Sequence, residues 1–418
     1  MKTLNLPGVN AKRLIERDSK VISPSYPRGY PFVMDHGKGV YVWDVDDNKF
    51  LDFAAGIAVN STGHSHPKVL KAIQEQAEKF IHISSDFYHA KWIELAEYLD
   101  QIAPFQEDAV SFVTNSGTES VETALKLARY HTGRSQFIGF LGGFHGRTFG
   151  SVTLTASKPH YHRGFFPLMN GVTHIPYPDP YRPGLQELPG ENVGDASLRY
   201  LKEEVFGRII PADEVAAIII EPIQGEGGVR VPDPQSLAGL RALWARHGWL
   251  LMLDEIQTGS GRTGSFFHYQ QHGLLPDVAT LAKGLGNGMP IGACLARGAA
   301  AELLGPGKHG STFGGNPVAC AAGLATLRVL GVTGTRLRSE FRSAMAGCAS
   351  VRDIRGSGLM IGIELDRPCA ELVQHALDRG LLINVTADSV IRLLPPLILG
   401  DAEAELLVAT LAPLIRAF

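Results

Sequence analysis

The sequence predicts an α/β protein built on a mostly parallel central sheet. From about residue 110 onward, short continuous apolar runs alternate with segments of helical periodicity. The runs have the length of strands, and their lack of polar alternation is typical of strands that are buried on both faces of a sheet. Each run also ends in a polar or glycine-rich turn. These three observations favour a parallel sheet with helices on both sides.

The five predicted strands are residues 110–113, 137–140, 216–220, 249–253 and 278–281. The turns that follow them read TNSGTES, LGGFHGRT, EPIQGEGG, DEIQTG and AKGLGNG. Open parallel sheets bind their ligands outside the carboxyl ends of the strands. We therefore expect the five turns to converge on one crevice.

The flanking segments predict a second, smaller domain. Residues 40–53 read as two short strands around a turn at residues 46–48, and a helix should begin near Pro67. Its apolar stripe comprises Val69, Leu70, Ile73, Ala77, Phe80 and Ile81. After Asn316 a long alanine-rich helix runs to about Leu330. We expect an N-terminal part of the small domain (1–65), a large domain (66–316), and a bridging helix with the C-terminal small domain (317–418).

Composition excludes several classes of protein. The 418 residues carry a formal net charge of −3, which argues against a nucleic-acid or membrane surface. The four cysteines are far apart, as expected for free thiols rather than a disulfide frame or a zinc ribbon. The start is too polar for a signal peptide, so we predict a cytoplasmic protein. His64 and His66 have no evident third metal ligand, so we predict a structural role and no metal site.

The turn after the first predicted strand has the form of an anion site. Ser116 is followed three residues later by Glu119, as in a capping box, and Gly117 and Thr118 open the next helix. Free N–H groups, hydroxyls and a glycine at a helix start suit a phosphate. An ordinary capped helix would give the same pattern, so the motif alone leaves both interpretations open.

Two further turns each place one charged residue after an apolar run. Asp254 ends a predicted buried strand, where a carboxylate needs a cationic or hydrogen-bonding partner, although it could also cap the next turn. Lys283 stands one strand later; it could be a surface lysine, or an amine whose partial desolvation makes it a nucleophile toward carbonyls. Together with the phosphate-like turn, these residues describe a site for pyridoxal phosphate, with Lys283 forming the Schiff base.

The motifs, in their order, resemble those of the class III pyridoxal phosphate-dependent aminotransferases, which include the 4-aminobutyrate, ornithine and N-acetylornithine aminotransferases. The resemblance covers nearly the whole chain through VWDVDDNKFLDF, GIAVNSTGHSHP, NSGTES, FHGRT, IIEPIQGEGG, LDEIQTGSGRTG, LAKGLGNGMPIGA, GSTFGGNP and IRLLPP. It implies the fold-type I architecture of these transferases. The segment Gly331–Arg338 is several residues shorter than the family pattern.

The resemblance also implies the cofactor contacts: Ser116, Gly117, Thr118, Phe144, His145, Glu221, Asp254, Ile256, Gln257, Lys283 and Thr312. Asp254 would pair with the ring nitrogen, Phe144 would stack on the ring and Gln257 would approach the 3′-oxygen. Thr312 would reach the phosphate of the neighbouring subunit's cofactor, which implies a homodimer.

Four residues of the resemblance concern the substrate. Arg147 and Arg392 would hold carboxylates, although the residues alone would also fit surface or structural arginines. Glu226 would neutralise Arg392 when the donor has no second carboxylate. Ile57 stands where ornithine enzymes of the eukaryotic type carry tyrosine, which favours 4-aminobutyrate or N-acetylornithine without removing ornithine.

The implied reaction is ping-pong transfer of the terminal amino group of an ω-amino acid to 2-oxoglutarate, which gives glutamate. The partners would be a small-molecule amino donor and a 2-oxo-acid acceptor. A racemase or epimerase of the same family is an alternative that these motifs leave open. A non-catalytic binding protein is a remote alternative, because Lys283, Asp254 and Thr312 are all retained.

Overall fold

The computed structural model describes residues 4, 6–103, 105, 108–302, 304–330 and 336–418. The chain forms two compact units, one comprising Met1–Pro67 with Thr333–Phe418 and the other comprising Lys68–Val332. We call them the small and the large unit. The domain boundaries predicted at residues 65 and 316 stay predictions, and most of the short segment Gly331–Arg338 lies outside the described residues.

The strands, numbered in chain order, are β1 Met34–Lys38, β2 Tyr41–Asp44, β3 Lys49–Asp52, β4 Ala109–Thr114, β5 Gln136–Phe140, β6 Val172–Ile175, β7 Val215–Ile220, β8 Leu250–Asp254, β9 Val278–Leu281, β10 Gly292–Arg297, β11 Val351–Ser357, β12 Met360–Leu365, β13 Leu381–Leu382, β14 Asn384–Thr386 and β15 Val390–Leu393. The α-helices are α1 Val9–Val21, α2 Ala55–Ala58, α3 Pro67–Ala77, α4 Ala90–Ile102, α5 Gly117–Thr132, α6 Phe149–Leu154, α7 Val193–Tyr200, α8 Pro234–His247, α9 Pro317–Val329, α10 Arg336–Ala344, α11 Glu371–Leu377 and α12 Asp401–Ala417. A π-helical stretch, Leu201–Ile209, continues α7.

A seven-stranded sheet in the order β4-β10-β9-β8-β7-β5-β6 forms the centre of the large unit. Its neighbouring strands are parallel except at β10, which is antiparallel to both β4 and β9. Consequently β4, β5, β7, β8 and β9 run in the same direction, and their carboxyl ends lie at one edge of the sheet. The predicted α/β class is confirmed, and each of the five predicted strands is present. The sequence did not predict β6 and β10.

Burial explains why the central strands were recognisable. Every residue of β7, β8 and β9 is buried, as the uninterrupted apolar runs predicted. The helices between them have clear end signals. For example, α8 begins with Pro234 after an Asp233 cap and ends at Gly248, which adopts a left-handed conformation. The three central strands and the ends of helix α8 therefore follow directly from local composition.

Two predicted helices are present with shifted ends. Helix α3 begins at Pro67 as predicted but ends at Ala77, so Phe80 and Ile81 lie beyond it and are exposed. Helix α9 is predicted correctly to within one residue, and Asn316 caps it by accepting hydrogen bonds from the first turn. Among the described residues, no helix combines the length and apolar character needed to cross a membrane.

The small unit contains two four-stranded sheets, in the orders β1-β2-β3-β13 and β11-β12-β15-β14. The predicted turn between β2 and β3 is present. Asp44 closes it, because its Oδ1 atom accepts the N–H groups of Asp46 and Asn48 at 2.9 and 2.8 Å. The central position, Asp47, has a positive φ of 63°, which aspartate tolerates better than most residues.

Candidate functional site

Three adjacent strands of the large unit end in the charged residues that the sequence singled out. Glu221 follows β7 directly, Asp254 is the last residue of β8, and Lys283 stands two residues beyond β9. Asp254 is the register partner of Thr280, whose hydroxyl donates to Asp254 Oδ1 at 3.3 Å. Lys283 is half-buried and has a positive φ of 42°, an uncommon backbone conformation for lysine that is held by the surrounding turn.

The partner of Asp254 is His145. Both residues are 3% exposed, and His145 Nδ1 lies 2.8 Å from Asp254 Oδ2. The backbone N–H of Ile256 donates to the other carboxylate oxygen at 3.1 Å. Burial by itself lowers the pKa of His145, but the hydrogen bond and charge of Asp254, together with Glu221, outweigh it and raise the pKa. The result is a buried carboxylate with hydrogen-bonding partners on both oxygens.

Glu221 connects two of the turns. Its carboxylate accepts the N–H of Phe144 at 2.8 Å and the N–H of Gly225 at 3.0 Å. Burial raises the pKa of Glu221 to about 7, with His145 acting in the opposite direction and Asp254 in the same one. The side chain therefore fixes the FHGRT turn and the QGEGG turn to the end of β7.

The phosphate-like turn is a capped helix start of unusual form. Ser116 caps α5 by accepting the N–H of Glu119 at 3.4 Å. The Glu119 carboxylate, however, accepts the N–H of Asn115 at 2.6 Å, one residue before the position that a capping box would predict. A Cβ atom on Gly117 would lie 2.8 Å from Ile256 Cδ1. Glycine is therefore needed where the turn after β8 packs against the helix start.

A residue that the sequence did not single out ties this helix start to the lysine turn. The Ser120 hydroxyl lies 2.8 Å from Thr114 Oγ1 and 3.2 Å from the carbonyl oxygen of Leu281. Ser120 is fully buried. It therefore fixes α5 against the ends of β4 and β9, and thus against the turn that carries Lys283.

These residues fit pyridoxal phosphate. The start of α5 offers backbone N–H groups to a phosphate, Asp254 is a buried acceptor for a ring N–H, and Lys283 is an amine on the turn after the neighbouring strand. Gln257 supplies a further sign of a ligand. It is 8% exposed, and its Oε1 atom has no hydrogen-bond partner among the described residues. Buried polar atoms are normally paired, so this atom is open to a polar ligand group.

The predicted substrate residues Arg147 and Glu226 belong to one group of side chains, which we call the arginine–glutamate cluster: Phe144, Arg147, Lys158, Tyr161 and Glu226. The Arg147 guanidinium lies 3.9 Å from the Tyr161 ring centroid, and the Phe144 ring meets Tyr161 edge-on at 5.5 Å. Glu226 Oε1 accepts from Lys158 Nζ at 2.7 Å and from the Tyr161 hydroxyl at 3.1 Å. Burial, and then the charge of Glu226, raise the pKa of Tyr161.

Sequence reasoning missed Lys158 and Tyr161. Each is more than 60 residues from Glu226 along the chain, so no local pattern connects them. Arg147, which the sequence did predict, is exposed. Exposure is compatible both with a surface arginine and with an arginine that binds a substrate carboxylate.

Of the three remaining predicted residues, Thr312 follows Ser311, whose hydroxyl accepts from Asn115 Nδ2 at 3.0 Å, and the other two belong to the small unit. Thr312 is exposed in the large unit and lines an open cavity of about 390 Å³ together with His82, Ser84, Ser85, Gly310 and Ser311. Arg392, on β15 of the small unit, is 2% exposed and donates twice to Asn384 Oδ1, at 3.0 and 2.7 Å. Ile57, also in the small unit, is 45% exposed with a positive φ of 64°.

The histidine motif has a structural partner. His64 Nε2 lies 2.8 Å from Asp52 Oδ2, and the other oxygen of Asp52 accepts the N–H groups of Ala54 and Ala55 at 2.9 Å. The described part of the chain contains no group of three or more histidine, cysteine or acidic residues that could hold a metal ion. All four cysteines are free thiols, as predicted.

Known proteins share both this sequence and this architecture. The sequence profile of the family "Aminotransferase class-III" matches residues 23–415. The acetylornithine aminotransferase of Methanothermobacter thermautotrophicus is 44% identical, over 97% of this chain and 99% of its own length.

Solved structures agree with the sequence comparisons. The ornithine aminotransferase of Toxoplasma gondii, which holds pyridoxal phosphate at partial occupancy, superposes with a TM-score of 0.85 at 30% identity over 97% of this chain and 94% of its own. An (S)-enantioselective omega-transaminase from Thermomicrobium roseum gives 0.87 at 30% identity over 97% and 99%. The predicted family, fold and cofactor are thereby confirmed: the chain belongs to the class III aminotransferases and is a pyridoxal phosphate-dependent enzyme.

Proposed function

We propose that this enzyme transfers the terminal amino group of an ω-amino acid, of the N-acetylornithine type, to 2-oxoglutarate. The observation that carries the proposal is the position of Arg147, whose exposed guanidinium stacks on Tyr161 beside Phe144. Phe144 belongs to the turn that Glu221 holds at the end of β7. We propose that Arg147 binds the donor's carboxylate while Lys283 acts at its distant amino group, as an ω-amino acid donor requires. The name of the curated relative supports N-acetylornithine.

Pyridoxal phosphate, when bound, supplies an aldehyde that takes up the donor's amino group and a ring that accepts electrons as a C–H bond breaks. The Lys283 amine would hold the cofactor covalently and, when free, would move the proton that leaves the donor carbon. Asp254 keeps a proton on the ring nitrogen, and His145 holds the Asp254 carboxylate in place.

The other side chains at this edge position the cofactor. The start of α5, with Ser116, Gly117 and Thr118, would bind the phosphate. Phe144 would pack on the ring. The Oε1 atom of Gln257, which has no partner among the described residues, would approach the ring hydroxyl. We further propose a homodimer in which the exposed Thr312 of one copy reaches the phosphate bound by the other.

The donor and the acceptor half-reactions would then differ in how many arginines bind substrate carboxylates. A monocarboxylate donor would use Arg147, while Glu226 neutralises Arg392. The dicarboxylate 2-oxoglutarate would use both arginines. Within the large unit, Glu226 is already paired with Lys158, so the cluster as a whole carries two cations and one anion. That surplus favours a substrate carboxylate beside Arg147.

A donor screen tests this function. The purified holoenzyme is incubated with 2-oxoglutarate and, separately, N-acetylornithine, ornithine and 4-aminobutyrate, and glutamate formation is measured. We expect N-acetylornithine to give the highest kcat/KM. Chiral analysis of each donor is run in parallel, because a racemase would scramble the donor without forming glutamate. A donor that racemises and yields no glutamate would overturn the proposal, whereas the aminotransferase names of the relatives favour transamination.

A further inference from the structure

The FHGRT turn and the start of α6 approach helix α5 closely at two glycines, Gly146 in the turn and Gly150 in α6. A Cβ atom on Gly146 would lie 2.3 Å from Thr118 Oγ1, and one on Gly150 would lie 2.3 Å from Glu122 Oε2. Gly146 also has a φ of 136°, which disfavours any other residue. The turn that carries Phe144 and Arg147 is thus packed directly on the first two turns of the helix whose start is the proposed phosphate site.

Hydrogen bonds fill this contact. The Glu122 carboxylate accepts the Thr148 hydroxyl and, at 2.9 Å, the N–H of Ser151 in the first turn of α6. Thr118 Oγ1 lies 2.8 Å from Thr148 Oγ1 and 2.5 Å from Ser151 Oγ. The distance between the hydroxyls of Thr148 and Ser151 is 2.9 Å. The hydroxyl groups of Thr118, Thr148 and Ser151 therefore form a triangle, and the Glu122 carboxylate holds the Thr148 hydroxyl in place.

The carboxylate determines how the hydroxyl protons are arranged. A hydroxyl group has one proton to donate, and an ionised carboxylate only accepts. Thr148 therefore donates to Glu122, and its own oxygen is left to accept from a neighbour. Ser151 can donate within the triangle or to the Thr148 carbonyl at 3.3 Å. When Ser151 donates to Thr148 Oγ1, Thr118 Oγ1 accepts the N–H of Thr148 at 3.3 Å and its own proton remains for a ligand in front of the helix start.

We propose that Glu122 and Thr148 are positioning residues for the cofactor phosphate. They hold the Thr118 side chain and direct its hydroxyl proton toward the phosphate, while Glu122 also fixes the start of α6 and with it the turn carrying Arg147. This inference rests on the proposed function, because it takes the start of α5 as the phosphate site. It adds two residues, neither of which touches the cofactor, to those that determine how the phosphate is held.

The test compares pyridoxal phosphate with pyridoxal, which lacks the phosphate. The full-length protein, freed of cofactor, is titrated with each compound and binding is followed by absorbance. In Thr148→Val, which removes the hydroxyl at nearly constant volume, we expect the preference for pyridoxal phosphate over pyridoxal to fall about tenfold, the loss expected for one misdirected hydrogen bond to a charged group. Glu122→Ala should give the same signature.

Two variants serve as controls. Thr148→Ser keeps the hydroxyl and should retain the preference of the wild type. Thr132→Val makes the same chemical change at the far end of α5, where the hydroxyl bonds only to nearby backbone groups, and should also retain it. An unchanged preference in Thr148→Val, or an equal loss of affinity for both compounds, would overturn the inference. If the wild type bound pyridoxal phosphate no more tightly than pyridoxal, the proposed phosphate site would be refuted, and the inference with it.

Discussion

Two pairs of oppositely charged residues in the large unit have nearly the same length and very different surroundings. His145 and Asp254 approach to 2.8 Å with side chains that are 1% and 3% exposed. Lys158 and Glu226 approach to 2.7 Å with side chains that are 29% and 19% exposed. The buried pair accepts further hydrogen bonds from Ile256 and Thr280, whereas a tyrosine hydroxyl assists the partly exposed pair.

The difference in burial separates two kinds of function. Removing one partner of a buried pair leaves an uncompensated charge and costs roughly 3–5 kcal/mol, whereas an ion pair in contact with solvent contributes about 0–1 kcal/mol. The residues proposed for the bond-breaking chemistry are therefore held rigidly by the sheet. The residues proposed for substrate choice lie on turns where small changes in charge alter affinity without disturbing the fold.

The largest expected effect is at Lys283. Replacing it with alanine should abolish covalent attachment of the cofactor and reduce turnover to background, because no other group at this edge is proposed to supply the amine. Borohydride reduction of the wild-type holoenzyme, followed by peptide mapping, should place the label on Lys283. Lys91→Ala, which removes a half-exposed lysine on α4, is the control and should be labelled like the wild type. A label on another lysine would refute the assignment.

The buried pair is tested by Asp254→Asn. The amide is nearly isosteric but cannot hold a proton on the ring nitrogen by charge, so turnover should fall by several orders of magnitude while the cofactor stays bound. Absorbance gives the bound cofactor, and single-turnover kinetics give the rate. Asp233→Asn, at the cap of α8, is the control, since asparagine also caps helices well. Near-normal rates in Asp254→Asn would contradict the role of this residue.

The rigid part of the site was predictable because its signals are local. Continuous apolar runs identified β7, β8 and β9, and the charged residue at each strand end could be read directly from the sequence. Since parallel strands end at one edge, the proximity of Asp254 and Lys283 followed from the fold class. The antiparallel β10 was missed although it is longer than β9, because GACLAR contains few large apolar residues and the direction of a strand has no signature in the sequence.

The arginine–glutamate cluster was predictable only in part. The resemblance supplied Arg147 and Glu226, but the Lys158–Glu226 contact joins the turn after β7 to the segment after helix α6 and depends on how these distant segments fold against each other. The capping box illustrates the same limit at short range. The pattern located the helix start correctly, yet Glu119 bonds to Asn115 rather than to Ser116, a choice that the spacing of residues does not determine.

An intermediate effect is expected for the proposed charge switch, by which Glu226 neutralises Arg392 when the substrate has one carboxylate and Arg392 binds the second carboxylate of 2-oxoglutarate. Arg392→Ala should weaken 2-oxoglutarate by about one to two decades in half-reaction efficiency, since a charge-paired carboxylate contact contributes roughly 1.5–3 kcal/mol. A monocarboxylate donor should be affected far less. Glu226→Ala should do the reverse, because the donor complex would then contain an arginine without its counter-ion. Stopped-flow half-reactions measure both. Equal losses in the two halves for both variants would refute the switch but not the transamination.

The smallest effect is expected for Lys158→Gln, which breaks the partly exposed Lys158–Glu226 pair. Because both side chains keep contact with solvent, we expect the pair to contribute about 1 kcal/mol, so the donor half-reaction efficiency should fall about fivefold, through a higher KM as the cluster loses a positive charge near Arg147. The loss should vanish at about 1 M salt, where charges are screened within roughly 3 Å, while the defect of Asp254→Asn should persist. Lys91→Gln breaks a pair of similar exposure with Glu94 on α4 and should leave KM unchanged. A loss that exceeds about fiftyfold, or one that salt does not relieve, would show that Lys158 belongs functionally with the buried pair.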